Sequence, residues 1–151
     1  MFVHTRQITI EWGDCDPAGI VFFPRYLAYF DACTWALFTA ALGMKKAQLL
    51  AHYGTIGCPM VDLRTRFLIP STYGDEVVVE TQIREFRRRS FDVQHRLLRG
   101  GVLAVEGLET RVWAALDSER PGRLKSQPIP ADVIRSLGDN PLQPQPVGHQ
   151  P

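Results

Sequence analysis

One short segment of this sequence carries the residues best suited to chemistry. Residues 11–26 read EWGDCDPAGIVFFPRY. Asp16 lies in a stretch bounded by glycine and proline, directly before an apolar run, so its carboxylate can face a pocket with few competing ligands. A carboxylate held in this way can act as a nucleophile or as a general base. The segment therefore predicts carboxylate-based catalysis, with Asp16 as the reacting group.

Phe23 stands at the predicted start of a long helix. Backbone N–H groups in the first turn of a helix have no intrahelical acceptor, and the helix dipole favours negative charge there. The N–H of Phe23 is therefore a natural donor to a developing oxyanion. A carboxylate that faces a helix N-terminus across a pocket suits attack on an acyl carbon. The alternative is an Asx turn, in which residues 14–19 only lead the chain into the helix.

The elements on both sides of this segment indicate how it is held. Alternating apolar residues over 6–12 predict a strand with Ile8, Ile10 and Trp12 on its buried face, and the composition of 13–19 predicts an irregular loop. From Pro24, apolar residues recur every three or four positions until Gly43, which predicts a helix of about nineteen residues. Because this helix is apolar around most of its circumference, we expect protein on nearly all sides of it.

Beyond this helix the pattern changes to strands. A short second helix is predicted over 45–53. Strands are predicted over 60–69, 76–86, 90–99 and 102–116, with Gly100-Gly101 as the hairpin turn between the last two. A polar connection over 119–125 and a brief helix over 130–137 complete the predicted order. This order predicts an α+β fold in which an antiparallel sheet packs on the long helix.

Length and composition favour one domain. A chain of 151 residues with a hydrophobic fraction of 45% can bury a core of its own, which we expect over 1–137. Residues 138–151 are rich in proline and glutamine and predict a disordered tail. The formal charge of +1 gives no field that favours nucleic acid or a membrane surface as a partner.

The spacing of the cysteines indicates the redox environment of the protein. Cys15, Cys33 and Cys58 contain no CxxC pair, which argues against a disulfide framework and a structural zinc site and favours a reducing environment. We expect Cys15 and Cys58 to be small buried residues and not nucleophiles, because a cysteine nucleophile needs a histidine base nearby. No secretory leader opens the sequence and no apolar run reaches about eighteen residues. We therefore expect a cytoplasmic protein without a membrane span.

Residues that could bind a metal are scattered. Asp14 and Asp16 lack the further acidic residues of a calcium loop. The histidines, which show no pair at metal-ligand spacing and receive no role, are His4, His52, His95 and His149. We therefore expect neither a metal site nor a cofactor.

The segment 11–26 resembles the 4-hydroxybenzoyl-CoA thioesterase family of hotdog-fold proteins. The resemblance extends to Asp31 on the predicted helix, to Gly57-Cys58-Pro59, and to residues 85–91, EFRRRSF. It covers the chain from about residue 5 to about residue 135, and the order of strands and helices agrees with the family. The resemblance implies the hotdog fold, an antiparallel sheet of five or six strands wrapped around the long helix. It also implies a homodimer or homotetramer with active sites at the subunit interface.

Position by position, the resemblance implies roles for the residues of the site. Asp16 matches the catalytic carboxylate, and Phe23 matches the residue whose backbone N–H polarises the thioester carbonyl. The residues that match acyl-binding positions are Phe22, Tyr26, Asp31, Cys58 and Pro59, of which Cys58 replaces a small hydroxyl residue.

A dense basic run has two interpretations. Arg87, Arg88 and Arg89 lie between two predicted strands, and by composition alone they fit a solvated turn. The resemblance implies instead that they meet the phosphates of coenzyme A, to which guanidinium groups bind well.

The sequence departs from the family at Phe23. Members that resemble it carry tyrosine at this position and use the tyrosine hydroxyl, together with the helix aspartate, around a phenolic acyl group. Phenylalanine keeps the backbone N–H but has no hydroxyl. The resemblance therefore implies polarisation of the carbonyl oxygen but not recognition of a para-hydroxyl.

The function implied by the resemblance is hydrolysis of an aromatic acyl-CoA, aryl or hydroxyaryl, to the free acid and coenzyme A. Two alternatives stay open. One is a thioesterase that acts on medium-chain aliphatic acyl-CoA. The other is a hotdog module that binds an acyl-CoA or a partner protein without turnover, since a fold does not establish an activity. A hotdog dehydratase is disfavoured because the loop-and-helix context of its histidine is missing from the sequence.

Overall fold

The central element of the computed structural model, which describes residues 1–138, is helix α1, Phe23–Leu42. Pro24 occupies its first turn, where a missing N–H removes no intrahelical hydrogen bond. Gly43 ends the helix in the left-handed conformation, and its N–H donates to the Thr39 carbonyl at 3.0 Å. The buried residues of α1 are Tyr26, Phe30, Cys33, Thr34, Leu37, Phe38 and Ala41. The predicted central helix is confirmed to within one residue at each end.

A five-stranded sheet wraps around α1. Its strands are β1 Val3–Thr9, β2 Met60–Phe67, β3 Glu76–Phe86, β4 Ser90–Arg99 and β5 Val102–Val112. Their order across the sheet is β1-β3-β4-β5-β2, and every neighbouring pair is antiparallel. The predicted α+β arrangement is confirmed, with β1 and β2 at the two edges.

Smaller elements close the core around α1. Helix α2 is Lys46–Tyr53, the short strands β6 Ala114–Leu116 and β7 Leu124–Ser126 pair with each other, and helix α3 is Ala131–Gly138. Val133 and Leu137 of α3 are fully buried and belong to the same apolar cluster as Phe38 and Trp113. Because α3 ends at Gly138, that residue is not part of a tail, and the remainder of the predicted tail lies outside the described residues.

Gly107 lets α1 approach the sheet closely. A Cβ atom at this position would lie 2.7 Å from Cε2 of Phe30, which is closer than atoms in contact can pack. His95 is the cross-strand partner of Gly107, and the Phe30 ring stacks on the His95 ring with centroids 4.6 Å apart. A glycine inside a strand commonly marks such an approach. The ring of Phe30 therefore packs the central helix directly against the sheet at Gly107 and His95.

The prediction for the first strand is wrong by three residues. Val3–Thr9 forms the ladder with β3, and Ile10 stays beside its end: the Ile10 N–H donates to the Asp75 carbonyl at 2.8 Å, and the Ile10 carbonyl accepts the Gly74 N–H at 2.9 Å. Trp12–Asp14 then forms a short 3-10 turn, where an irregular loop was expected for residues 13 and 14. As a result Trp12 is 77% exposed instead of buried.

Two later boundaries also differ from the prediction. Residues 102–116 are two strands, and Trp113 lies between them: its N–H donates to the Arg89 carbonyl at 2.9 Å, in register with the β4 ladder, and its carbonyl accepts the Gln127 N–H at 2.8 Å, in register with the β7 ladder. The connection predicted over 119–125 ends inside β7. β2 stops at Phe67 because the N–H groups of Leu68 and Ile69 share one acceptor, the Ala104 carbonyl.

Candidate active site

Asp14 ties the loop that carries Asp16 to the start of α1. Its carboxylate accepts the Glu11 N–H at 3.0 Å, and its carbonyl accepts the Phe22 N–H at 2.8 Å. The Nε atom of Arg25, in the first turn of α1, lies 3.9 Å from the same carboxylate. Burial raises the pKa of the Tyr29 hydroxyl, and the neighbouring carboxylate of Asp14 raises it further. Asp14 therefore joins the residues before and after the loop.

Asp16 lies half-buried in this loop with one carboxylate oxygen in use. Oδ1 accepts the Ala18 N–H at 2.8 Å, so the Asx turn considered above does form. The Asp16 N–H donates to the Ile20 carbonyl at 2.9 Å, and the Asp16 carbonyl accepts the Gly19 N–H at 2.9 Å. Within residues 1–138, Oδ2 of Asp16 has no hydrogen-bond partner. The turn thus orients the carboxylate and leaves one oxygen available for chemistry.

Phe23 supplies the available N–H of the helix start. It is the first residue of α1, and the preceding Phe22 has an extended backbone with φ of −66° and ψ of 120°. Pro24 has no N–H, and the Arg25 N–H already donates to the Phe22 carbonyl at 2.8 Å. The Phe23 N–H therefore remains as the donor that can stabilise a developing oxyanion.

An apolar pocket of about 320 Å³ opens beside the start of α1. Its lining residues are Ile20, Val21, Phe23, Tyr26, Phe67, Leu68, Ile69, Pro70 and Val105. The Phe23 and Phe67 rings meet edge to face with centroids 6.4 Å apart. Tyr26 presents its ring, because its hydroxyl accepts the Ser71 N–H at 3.1 Å. The pocket suits a flat or chain-like apolar group.

Asp31 belongs to a second pocket of about 340 Å³. It follows Phe23 by eight positions, about 12 Å along the helix. The residues around this pocket are Asp31, Trp35, Lys46, Ile56, Gly57, Cys58, Pro59, Met60 and Arg111. Burial raises the pKa of the Cys58 thiol to about 12, so it is protonated at neutral pH and does not act as a nucleophile. This pocket is polar where the first one is apolar.

A buried polar network stands behind Asp31. Nη2 of Arg111 donates to Oδ1 of Asp31 at 2.8 Å, and Nε of Arg111 donates to Oε2 of Glu109 at 2.7 Å. The same Glu109 oxygen accepts the Thr34 hydroxyl at 3.3 Å and lies 3.4 Å from Nε2 of His95. The ring Nδ1 of His95 lies 3.0 Å from the hydroxyl of Thr81. Charged and polar side chains from α1, β3, β4 and β5 therefore meet inside the core.

The charges in this network compensate one another. Burial by itself raises the pKa of Glu109, but hydrogen bonds from His95 and Arg111 outweigh it, so the pKa lies below its ordinary value. The partners Glu109 and Asp31 raise the pKa of Arg111 against the effect of its burial. Because a carboxylate only accepts hydrogen bonds, Nε2 of His95 carries a hydrogen. Glu109 and Arg111 are therefore both charged inside the protein.

Comparison with known proteins decides the family. The model of the thioesterase-like superfamily matches residues 10–137. The chain belongs to this superfamily. The predicted resemblance, the hotdog fold and the enzyme class, a thioester hydrolase, are confirmed at this level.

Individual relatives of this chain are named as acyl-CoA thioesterases or hydrolases. The chain is 38% identical over 135 residues to a 4-hydroxybenzoyl-CoA thioesterase from Pseudomonas sp. (strain CBS-3), covering 86% of this chain and 94% of that protein. Two solved structures, one of the 4-hydroxybenzoyl-CoA thioesterase from Pseudomonas sp. strain CBS-3 and one of a 4-hydroxybenzoyl-CoA thioesterase mutant complexed with 4-hydroxybenzoyl-CoA, each superpose with a TM-score of 0.81 and 35% identity over 89% of this chain and 98% of theirs. A 1,4-dihydroxy-2-naphthoyl-CoA hydrolase from Synechococcus elongatus is 31% identical over 60% of this chain and 66% of its own length.

The predicted acyl-binding residues of this superfamily member fall into two groups. Tyr26 lies beside Phe23 in the apolar pocket, whereas Asp31, Cys58 and Pro59 line the polar pocket. Phe22 lines neither pocket and packs edge to face on Phe23 with centroids 5.5 Å apart. Within one chain, Tyr26 therefore lies in a different pocket from Asp31, Cys58 and Pro59.

The three predicted phosphate-binding arginines differ in availability. Arg87 is held by Asp92, whose two oxygens accept from it at 3.0 and 2.7 Å, and by Glu85 at 3.2 Å. The hydrogen bond from Arg87 holds the pKa of Asp92 below its ordinary value. Arg89 donates to the Ser126 hydroxyl at 3.3 Å, and the exposed side chain of Arg88 has no partner among residues 1–138. Arg88 and Arg89 are better placed than Arg87 to meet a phosphate.

Sequence reasoning missed Glu109, Arg111 and the role of His95. In the sequence, Glu109 and Arg111 are two charged residues in a strand and His95 is a lone histidine. Their positions carry one usable indication: Phe91, Val93, His95 and Leu97 alternate on the buried face of β4, so His95 is buried with them and needs a polar partner.

Two further observations concern ions and membranes. Within residues 1–138, His, Cys, Asp and Glu form no cluster of three or more that could hold a metal ion. In the same range no single helix is long and apolar enough to cross a membrane, although α1 and α2 together, bent by 68°, reach that length and composition.

Proposed function

We propose that this protein hydrolyses the thioester bond of an aromatic acyl-CoA and releases the free acid and coenzyme A. The observation that carries the proposal is that one short loop holds both the Asp16 carboxylate and the available Phe23 N–H. A carboxylate with one free oxygen and an available helix N-terminal donor are held on two sides of one short loop by hydrogen bonds of Asp14. An acyl carbonyl between them would meet a nucleophile or base on one side and an oxyanion donor on the other.

The chemical step has two routes that use the same residues. In the first, the Asp16 carboxylate attacks the carbonyl carbon, coenzyme A leaves as the thiolate, and water hydrolyses the resulting anhydride. In the second, Asp16 takes a proton from water, which attacks the carbonyl carbon directly, and the same proton passes to the departing sulfur. In both routes negative charge develops on the carbonyl oxygen, where the Phe23 N–H and the helix dipole stabilise it.

The acyl group we propose is aryl or hydroxyaryl. The apolar pocket beside Phe23 is lined by aromatic and aliphatic side chains, which suit an aromatic ring. The Pseudomonas and Synechococcus relatives are named for hydroxylated aromatic acyl groups. Since Phe23 has no hydroxyl, any hydrogen bond to such a substituent must come from another residue. A medium-chain aliphatic acyl group would also fit an apolar pocket and is the competing substrate class.

A homodimer or homotetramer with active sites at the subunit interface forms part of this proposal. Large apolar side chains that line the apolar pocket are exposed, Phe23 by 56%, Phe67 by 50% and Leu68 by 47%, and Val61 near the other end of β2 is exposed by 63%. β2 lies at the sheet edge, so one side of its backbone is unpaired within the described chain. Apolar surface beside an open strand edge favours pairing with a second copy. Light scattering behind size exclusion would give the oligomeric mass.

The remaining parts of the proposal concern coenzyme A, cofactors and location. Arg88 and Arg89, with Arg87 behind them, are proposed to bind the phosphates of coenzyme A. Catalysis is proposed to need no metal or cofactor, so turnover should survive dialysis against EDTA. The three cysteines are free, which suits the reducing environment of the cytoplasm.

Thiol release from benzoyl-CoA, 4-hydroxybenzoyl-CoA and octanoyl-CoA, followed with a disulfide reagent, tests this function. Asp16→Asn removes the charge with almost no change of shape, and we expect it to lower kcat by a factor of about 10² to 10⁴ while binding persists. The matched control is Glu119→Gln, an exposed carboxylate in the loop between β6 and β7. Binding without turnover in the wild type would favour the non-catalytic module, and fastest turnover of octanoyl-CoA would favour the aliphatic class.

A further inference from the structure

The connection between β2 and β3 touches two parts of the candidate active site through one residue, Ser71. The Ser71 carbonyl accepts the Val21 N–H at 2.9 Å, and the Ser71 N–H donates to the Tyr26 hydroxyl at 3.1 Å. The next residue, Thr72, forms an isolated antiparallel bridge with Ile20. Val21 and Ile20 belong to the loop that carries the candidate catalytic carboxylate, and Tyr26 belongs to the first turn of α1. Ser71 therefore links the loop to the helix.

The part of the loop that Ser71 holds is bonded directly to Asp16. The Asp16 N–H donates to the Ile20 carbonyl at 2.9 Å, and Cys15 and Val21 form an antiparallel bridge on the two sides of the turn. A shift of residues 20 and 21 would therefore carry Asp16 with it.

The connection is fixed from the sheet side by Arg99 on β4. Nη1 of Arg99 donates to the Pro70 carbonyl at 2.9 Å, and its Nε lies 3.0 Å from Oδ2 of Asp75. The same Asp75 oxygen accepts the Thr72 N–H at 2.9 Å. Ser71 lies between these anchored residues and is fully buried. The connection is thus a fixed support for the site.

The Tyr26 hydroxyl joins α1 to this support. Tyr26 is 3% exposed and belongs to an apolar cluster, where the ring of a phenylalanine would fill the same space. A buried hydroxyl is costly unless it is hydrogen-bonded, and here it also satisfies a buried backbone N–H that has no other acceptor within residues 1–138. Tyr26 follows Phe23 by three positions, less than one helical turn. The hydroxyl therefore fixes the start of α1 close to the Phe23 N–H.

We propose that Tyr26 is a positioning residue, whose hydroxyl acts through Ser71 to hold the start of α1 and the turn of Asp16 in one fixed arrangement. This inference rests on the proposed thioesterase function and adds to it a residue that aligns the Asp16 carboxylate and the Phe23 N–H on one carbonyl group. A small displacement of a reacting group lowers the rate strongly, even when the substrate still binds.

Tyr26→Phe tests the inference, because it removes the hydroxyl and keeps the ring that lines the apolar pocket. With the acyl-CoA that wild type turns over fastest, we expect kcat to fall about ten- to a hundredfold and KM to stay within about twofold. Tyr53→Phe is the matched control: it removes a 2.7 Å hydrogen bond from a tyrosine hydroxyl to Asp132, outside both pockets, and should leave kcat within about twofold of wild type.

A second measurement separates positioning from a purely structural role. Tyr26→Phe is introduced into Asp16→Asn, and the residual rate of thiol release is compared with that of Asp16→Asn alone. Because the hydroxyl acts by placing the carboxylate, its removal should now lower the rate less than about threefold. A hydroxyl that only stabilised the fold would lower the rate by the same factor with or without Asp16.

The outcomes that overturn the inference can be told apart from a failure of the proposed function. If wild type releases no thiol from any acyl-CoA of the panel, the proposed function fails and the inference fails with it. If wild type is active and folded Tyr26→Phe keeps its kcat within about twofold, or changes only KM, Tyr26 does not position the site and the proposed function stands.

If Tyr26→Phe does not fold, Arg99→Met replaces it, because it loosens the support without touching the site. Its control is Arg96→Met on the same strand, which breaks a 2.9 Å ion pair with Glu80. A lower kcat with unchanged KM in Arg99→Met, absent from Arg96→Met, supports the positioning role. Equal kcat values in the two variants overturn it.

Discussion

The loop around Asp16 and the network around Arg111 both position a carboxylate, but they do so with opposite kinds of contact. The loop places its reacting groups with backbone hydrogen bonds between residues that are close in sequence, from Glu11 to Arg25. The network places Asp31 with side chains drawn from positions 34, 81, 95, 109 and 111. The first is partly exposed and the second is buried. The difference teaches that one chain can place polar side chains in two ways, by local backbone shape in the loop and by long-range packing in the network.

The two regions should therefore fail differently when they are damaged. A lost backbone hydrogen bond in an exposed loop costs little stability, but it can move a reacting group. A lost partner in a buried ion network leaves an uncompensated charge and costs much more. Mutations in the loop should lower activity in a folded protein, and mutations in the network should first lower stability.

The largest effect is expected from removing Glu109. Glu109→Ala leaves the guanidinium of Arg111 buried with only Asp31 to pair with, and should lower the free energy of unfolding by about 3–5 kcal/mol. Urea unfolding followed by tryptophan fluorescence measures it. The exposed ion pair between Arg96 and Glu80, 2.9 Å long, is the control, and Glu80→Ala should cost under about 1 kcal/mol. Equal losses in the two variants would remove the contrast between the regions.

The stability of the protein at acid pH should also depend on Glu109. Because the pKa of Glu109 is lowered in the folded protein by His95 and Arg111, its contribution to stability is present above the unfolded value of 4.5 and is lost as pH falls through the folded value. The wild type should therefore lose stability below about pH 4.5 more steeply than Glu109→Gln does. Urea unfolding across this range measures the slopes. Parallel slopes would mean that Glu109 is not held as the charged form.

The next effect concerns the loop. Asp14→Ala removes the acceptor of the Glu11 N–H and the neighbour of Arg25, so the loop that carries Asp16 is held less firmly to the start of α1. We expect kcat to fall about 100-fold with little change in KM, and stability to fall by about 1 kcal/mol. Asp117→Ala is the control, because Asp117 accepts the Glu119 N–H at 3.0 Å in a distant turn. If Asp14→Ala unfolds the protein instead, the loop is as structural as the network.

Gly107 offers a smaller test of the packing side. Gly107→Ala would press on Phe30 and, through it, on His95, and should cost about 1–3 kcal/mol. The matched change in the loop is Gly13→Ala, where a Cβ has nothing within 4 Å, and its effect on stability should stay within about 0.5 kcal/mol. Thermal unfolding of the two variants compares them directly. A larger loss in Gly13→Ala would reverse the comparison.

The smallest expected effect is on KM, and it distinguishes Arg88 from Arg87. Arg88→Ala should raise KM for the acyl-CoA a few-fold with kcat unchanged, because an exposed phosphate contact is lost. Arg87→Ala should change KM less, since Asp92 and Glu85 already hold that guanidinium. Initial rates at low salt, where such contacts are strongest, give both constants. A larger rise in KM for Arg87→Ala would mean that substrate displaces its carboxylate partners.

Much of the fold could be predicted because its signals are local. The ends of β3 and β4 agree with the prediction, since glycines and alternating apolar residues mark them within a few positions. The boundaries that failed lie where a strand passes into another element. Ile10 still bonds to Asp75 beside β3 before the chain turns into Trp12–Asp14, and Trp113 bonds to Arg89 with its N–H and to Gln127 with its carbonyl, so each boundary depends on residues that are distant in sequence.

The sequence alone determined the local shape of the segment that we propose carries the chemistry, because a glycine-bounded aspartate and a proline-started helix are adjacent along the chain and need only their own backbone to take shape. The structure alone decided that His95, Glu109 and Arg111 act together, and that Asp31 faces a different pocket from Phe23. The physical reason is that a buried charge is tolerated only where its partners arrive. Those partners come from strands brought together by the sheet and from a helix laid across it, so their meeting is a property of the folded chain.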